Sequence, residues 1–119
     1  FVPKPVVDWV SGAKVGIIAF GTTDSAMREA RDIMSNQGMK TNYLLLKALP
    51  LTDDVKDFIQ KNNVVYVVEQ NRDGQLLKII LTEHRDGDRK LKSVLNYNGL
   101  TIDAITVSNG ILEQERVNA

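Results

Sequence analysis

The chain has 119 residues, enough for one domain around a single core, and its 43% hydrophobic and 25% charged residues match a folded globular protein. Its 15 Lys and Arg balance 15 Asp and Glu, so no net field steers it to nucleic acid or an anionic membrane. With no cysteine and one histidine, His84, the chain itself carries no disulfide, thiolate zinc site, cysteine-ligated cluster or multi-histidine metal site.

The start, "FVPKPVVDWV", lacks the basic-then-apolar pattern of a signal peptide and an initiator methionine. The chain therefore reads as processed or as cut from something longer. No apolar run reaches the roughly 18 residues that span a bilayer. "PVVDWV" (5–10) can form a strand that turns at Ser11-Gly12. "KVGIIAF" (14–20) is short, β-branched and apolar on both faces, the mark of a buried strand.

"DSAMREARDIMSNQG" (24–38) places Met27, Ala30, Ile33 and Met34 at helical spacing, with Arg28, Glu29, Arg31 and Asp32 outside. Thr23 or Asp24 suits its N-cap and Gly38 its C-terminal cap. "TNYLLLK" (41–47) is a second strand and "TDDVKDFIQKN" (52–62) a short helix with Val55, Phe58 and Ile59 inward. "VVYVV" (64–68) is a third strand of the parallel type. "GQLLKIILTEHR" (74–85) is a helix with a wide apolar arc, and "RDGD" (85–88) a turn. "KLKSVLNY" (90–97) is a fourth strand, ended by the turn "NG" (98–99). "TIDAITVSNGILEQ" is ambiguous: its β-branched residues favour a strand, while Ile102, Ile105 and Leu112 mark a helix face, and a short terminal helix is the preferred reading.

Strand and helix in alternation, with short connections, imply an α/β fold: a mostly parallel sheet with helices on both faces, here as one domain over 1–119. Every strand-to-helix turn then falls on one edge of the sheet, outside which ligands of such folds usually lie. That edge should gather Gly21, Thr22, Thr23 and Asp24; Lys47; Glu69, Gln70, Asn71 and Gly74; and Asn98-Gly99.

Each motif there has a plain reading. "FGTTDSA" (20–26) opens a helix whose free amides can hold an anion. It has neither the three glycines of a dinucleotide fingerprint nor the Gly-Lys-Ser/Thr of a P-loop, and capping by Thr23 or Asp24 is preferred. "HRD" (84–86) has Leu91 where a kinase loop needs asparagine, so His84 reads as structural. "DGD" (86–88) lacks EF-hand spacing. Glu69 abuts a buried strand, where a carboxylate can act as acid or base, while Gln70 and Asn71 can bond loop backbone. The turn divides evenly between loop architecture and a recognition surface.

Four blocks in order carry a family resemblance: "KVGIIAFGTTDSAMREA", "MKTNYLLLKALPL", "VVYVVEQNRDGQL" and "NYNGLTIDAI". Together, over residues 14–112, they resemble the C-terminal part of the alpha subunit of 2-oxoacid:ferredoxin oxidoreductases, the 2-oxoglutarate type above all. "VVEQNRDGQL" is the most specific piece. The loop "KALPLTDD" departs from the arginine-bearing, Pro-Phe-Pro-like turn of relatives.

The resemblance implies a transketolase C-terminal-domain-like fold, with three α/β/α layers and a five-stranded mixed sheet. "PVVDWV" then becomes its one antiparallel strand. It also implies a cytoplasmic, oligomeric enzyme that converts a 2-oxoacid and coenzyme A to acyl-CoA and carbon dioxide while reducing ferredoxin. Thiamine diphosphate, magnesium and iron–sulfur clusters would belong to the full complex, and none would be bound by this domain. No catalytic residue of the family maps onto the chain. The expectation is a structural and assembly role, inactive alone, with the rest of the alpha subunit and a thiamine-binding beta subunit as partners. The turns at Gly21 to Asp24 and Glu69 to Gly74 are the candidate contacts, and Lys47 could meet an anion. The alternatives are a stand-alone small-ligand α/β module and an RNA-contacting, anticodon-binding-like domain. A phosphoacceptor receiver is disfavoured, because Gly-Thr-Thr and Glu-Gln-Asn stand where it needs aspartates.

Overall fold

A computed structural model describes residues 4–20, 24–47, 53–69, 75–83, 90–95 and 104–118. It contains β1 (Val6–Asp8), β2 (Val15–Phe20), α1 (Asp24–Asn36), β3 (Thr41–Leu46), α2 (Asp53–Lys61), β4 (Val64–Glu69), α3 (Gln75–Glu83), β5 (Leu91–Leu95) and α4 (Ala104–Asn118). The five strands form one sheet in the order β1-β3-β2-β4-β5. All neighbours run parallel except β1, which pairs antiparallel with β3, Val7 opposite Leu44. This is the expected mixed sheet, and "PVVDWV" is its antiparallel strand, shortened to three residues.

Both faces of the central strands are covered, which is why β2, β3 and β4 read as continuous apolar runs. Ile17, Ala19, Tyr43, Leu45, Tyr66 and Val68 face one way and pack on Met27, Ala30 and Met34 of α1 and on Ala104, Val107 and Ile111 of α4. Ile18, Leu44, Leu46, Val65 and Val67 face the other way and meet Val55, Phe58 and Ile59 of α2 and Leu76 and Ile80 of α3. The three layers are therefore α1 and α4, then the sheet, then α2 and α3. No described helix is long and apolar enough to cross a membrane.

The ends of the elements follow from local chemistry. At the end of α1, Met39 N–H donates to Met34 O (2.9 Å) and Gly38 N–H to Ser35 O (3.0 Å), with Gly38 at φ 88°. These paired bonds close the helix around a left-handed residue, the cap expected of Gly38. Between β1 and β2, Ala13 N–H donates to Val10 O (3.0 Å) across a turn that needs Gly12 at φ 83°. β1 is short and lies at the sheet edge, but Trp9 just beyond it stacks on Phe58 (ring centroids 5.3 Å apart) under the Lys61 ammonium.

Two expectations change. The terminal helix spans 15 residues rather than being short. Arg31, placed outside by helical spacing, has a side chain only 15% exposed. Its guanidinium donates to Thr41 Oγ1 (3.1 Å), Thr41 O (2.8 Å) and Asp8 Oδ2 (2.9 Å), so its long stem lies along the sheet margin and ties α1 to β3 and β1.

Candidate functional site

The four parallel strands end on one rim. Register carries Phe20 opposite Leu46 and Glu69 opposite Leu95, and Ala19 pairs with Val68 one step earlier. The chain leaves β2 for α1 on one face and β4 for α3 on the other. The β2/β4 junction is thus the switch point of the sheet, where such folds hold ligands. The corners expected to share a rim do so: Asp24 follows β2, Lys47 follows β3 and Glu69 ends β4. Gly21, Thr22, Thr23, Gln70, Asn71, Gly74, the "NG" turn and His84 lie outside the described residues.

Glu69 is 6% exposed although it is charged. Its Oε1 accepts from Leu76 N–H (2.5 Å) and its Oε2 from Leu77 N–H (3.3 Å). A carboxylate at the end of β4 thus caps α3, whose first amides have no partner within the helix. The residue before Gln75 is Gly74, which has no side chain to cap with. Glu69 supplies the missing acceptor from the far side of the turn, with its charge at the positive end of the helix. Both Glu69 oxygens are therefore engaged in shaping the start of α3.

Asp24 is likewise engaged. It is the first residue of α1, and its Oδ1 accepts from Tyr43 O–H (2.9 Å) while its Oδ2 accepts from Arg28 Nε–H (2.9 Å). Burial first, and then the bond to Asp24, pushes the Tyr43 hydroxyl well above the usual phenol range. Tyr66, on the same face of β4, donates to Glu115 of α4 and is pushed up for the same reasons in the same order. Lys47 is exposed at the end of β3.

The opposite edge holds what sequence reasoning missed. Asn42 Oδ1 accepts from Val10 N–H (2.7 Å), and Asn42 Nδ2 donates to Ala13 O (3.3 Å) and Asn62 Oδ1 (2.8 Å). Asn62 Nδ2 donates in turn to Phe58 O (2.8 Å). This buried amide pair locks the β1–β2 turn to the end of α2. The available signal was an asparagine inside an apolar strand. Beside it lies a cleft of about 450 Å³ lined by Asp8, Val10, Arg28, Arg31, Asp32, Ser35, Lys40 and Thr41. Its lining carries Arg28, Arg31 and Lys40 against Asp8 and Asp32, with Arg31 bonded to Asp8. Among the described residues no group of three His, Cys, Asp or Glu side chains could hold a metal.

No protein-family model and no curated protein matches the chain. Solved structures do. The chain is similar to the 2-oxoglutarate:ferredoxin oxidoreductase of Magnetococcus marinus, solved with 2-oxoglutarate, coenzyme A and succinyl-CoA bound, at 30% identity and TM-score 0.82 over 96% of its length. It spans only 20% of that enzyme's chain. The alpha chain of a probable 2-oxoacid ferredoxin oxidoreductase from Thermoplasma acidophilum matches 93% of this chain and 96% of its own at 20% identity and TM-score 0.58. A transketolase from Campylobacter jejuni matches 92% of this chain and 18% of its own at 15% identity and TM-score 0.64. The last two are likenesses of fold. The resemblance drawn from the four sequence blocks is borne out, as is the transketolase-like architecture.

Proposed function

We propose that the chain is a structural and assembly domain of a thiamine-diphosphate-dependent 2-oxoacid:ferredoxin oxidoreductase, the enzyme that turns a 2-oxoacid and coenzyme A into acyl-CoA and carbon dioxide and reduces ferredoxin. The observation that carries the reading is identity of 30% with a 2-oxoglutarate:ferredoxin oxidoreductase, maintained over 96% of the chain at TM-score 0.82. The partners are the remainder of the alpha subunit and a thiamine-binding beta subunit, in the cytoplasm.

The residues present do not fit the iron–sulfur clusters of such a complex. Iron–sulfur clusters take cysteine thiolates, and the chain has none. A bound pyrophosphate needs free amides or cations, and at the start of α3 the amides of Leu76 and Leu77 are already occupied by Glu69. No step of the reaction is assigned to this domain. Its part is to hold shape: a closed two-faced scaffold that presents the β2/β4 rim to neighbouring domains.

The test is reconstitution. The chain is co-expressed with the rest of the alpha subunit and the beta subunit, and 2-oxoacid-dependent ferredoxin reduction is measured with and without it. The proposal requires that activity and co-purification of the subunits fall together when it is omitted. Full activity in its absence, or co-purification of the chain with tRNA instead, overturns it.

A further inference from the structure

The cleft of about 450 Å³ lies between α1 and β1, at the sheet edge away from the rim. Small-molecule sites run from roughly 300 to 1,000 Å³. Arg28, Arg31, Asp32 and Ser35 stand at i, i+3, i+4 and i+7 on α1, so a single stripe of the helix makes one wall. Asp8 and Val10 make the other, and Lys40 and Thr41 close the end where the chain enters β3. Val10 is the one apolar side chain of that lining. An apolar ligand, or the aromatic anchor of a protein partner, finds little there to bury against.

The charges of the lining are of two kinds. Arg28 is paired with Asp24, outside the cleft, and Arg31 with Asp8, inside it. Arg31 is held on several sides. Thr41 accepts from its Nε and Nη2, Asp8 accepts from Nη1, and the Tyr43 ring centroid is 5.2 Å from Cζ. It is a fixed cation in the wall. Asp32 and Lys40 differ from it: both are exposed, and neither has a hydrogen-bond or ion-pair partner among the described residues. They carry opposite charges and line one cleft without joining each other. In all, Arg28, Arg31 and Lys40 stand against Asp8 and Asp32, an excess of one positive charge. The complement of that set carries both signs, with one more negative charge than positive.

We propose that the α1/β1 cleft binds an acidic amino acid, one carboxylate on Lys40, the other toward Arg28, and the ammonium on Asp32, against the fixed pair of Arg31 and Asp8. Exposed ion pairs are weak singly, so the ligand must engage several at once and binds at millimolar concentration. The site stands apart from the β2/β4 rim, and the inference does not rest on the assembly reading.

L-glutamate is the probe, at constant pH and ionic strength. Glutarate, which lacks the ammonium, is its comparison. The backbone amide resonances of Ser35, Lys40 and Thr41 shift saturably with L-glutamate, and glutarate binds at least about threefold more weakly. Lys40→Gln weakens L-glutamate by a similar factor. Asp32→Asn removes the difference between L-glutamate and glutarate. Both substituted side chains are exposed, so both variants keep the fold. The proposal is overturned by the lack of a saturable shift with L-glutamate, by equal binding of glutarate to the wild-type chain, by an unchanged affinity in Lys40→Gln, or by a difference that survives in Asp32→Asn. None of these results depends on partner subunits or ferredoxin, so failure here is distinct from failure of the oxidoreductase assignment.

Discussion

Gly16 sits in the middle of the sheet, paired with Asn42 on one side and Val65 on the other. Its Cα–H faces the packed end of α2. A Cβ built there would lie 2.7 Å from Phe58 Cε2 and 2.9 Å from both Asn62 Cγ and Nδ2. Phe58 is fully buried and Asn62 is 1% exposed, so neither can swing into solvent. Overpacking of this kind costs about 1–3 kcal/mol. If Asn62 is the group that yields, its bonds to Asn42 and Phe58 O are strained, at about 1 kcal/mol each. Against this, alanine in a strand recovers roughly 0.5–1 kcal/mol over glycine. Gly16→Ala should therefore lower stability by about 2 kcal/mol, a large share of the roughly 5–15 kcal/mol that holds a domain together. Urea unfolding followed by circular dichroism reads this as a lower midpoint with an unchanged slope. Phe58→Leu removes the nearest obstructing atom, so the double variant Gly16→Ala/Phe58→Leu should be more stable than the two single losses summed, by at least about 0.5 kcal/mol. A Gly16→Ala chain within about 0.5 kcal/mol of wild type, or strict additivity, would refute the reasoning.

Asn42→Ala removes an acceptor from Val10 N–H and a donor to Asn62, leaving buried polar atoms unpaired, and should cost about 2–4 kcal/mol in the same urea experiment. Asn42→Asp should be worse, because it sets an oxygen against the oxygens of Asn62 and Ala13 that now accept from the amide. Gly110 lies inside α4 with nothing within 4 Å of a built Cβ, so Gly110→Ala should add about 1 kcal/mol and raise the melting midpoint by roughly 4–8 °C. The two tyrosines have folded-state pKa values above their unfolded value, so the folded chain holds their protons more tightly. Their stabilising contribution is complete below roughly pH 10 and is lost as pH rises beyond it. Tyr66→Phe should accordingly flatten the alkaline fall in stability, measured by urea midpoints between about pH 8 and 11.

The elements were legible because burial on both faces writes itself as apolar runs, and a one-sided helix as a period near 3.6. α2 and α1 show this in full, down to Phe58, Met27 and Met34. Gly38 was legible as a cap for a separate reason, since a left-handed residue leaves few alternatives to glycine. The reach of α4 was less so: Thr106, Val107 and Gly110 are weak helix formers, and packing on α1 and β5 overrides them. Arg31 was misplaced because spacing fixes the direction of a Cα–Cβ bond, not where a four-atom stem ends. Asn42 stood out in its strand, yet its partner Asn62 is 20 positions away and only the tertiary fold joins them. Glu69 was conspicuous for the same reason, as a charge at the end of a buried run. Its role was hidden because the helix it caps is reached through space.

The rim's described carboxylates bear on how the domain can take part in a reaction at all. An acid or base must present an oxygen to substrate or water. Asp24 has one oxygen on Tyr43 and the other on Arg28, and Glu69 has one on each of two backbone amides. Freeing any of these oxygens breaks a bond that shapes the start of α1 or α3, so proton transfer would be coupled to loss of the corner itself. The opposite edge is held in the same manner, by the Asn42–Asn62 pair and by Arg31 on Thr41 and Asp8. Asp24 and Glu69 at the rim, and Asn42, Asn62 and Arg31 at the opposite edge, thus help to fix the ends of strands and helices. On the proposed assembly role, substitutions at Asp24 and Glu69 should reduce how much complex assembles, measured by subunit co-purification, while ferredoxin reduction per assembled complex stays constant. A loss of turnover in fully assembled complex would mean that one of these carboxylates does touch the reaction.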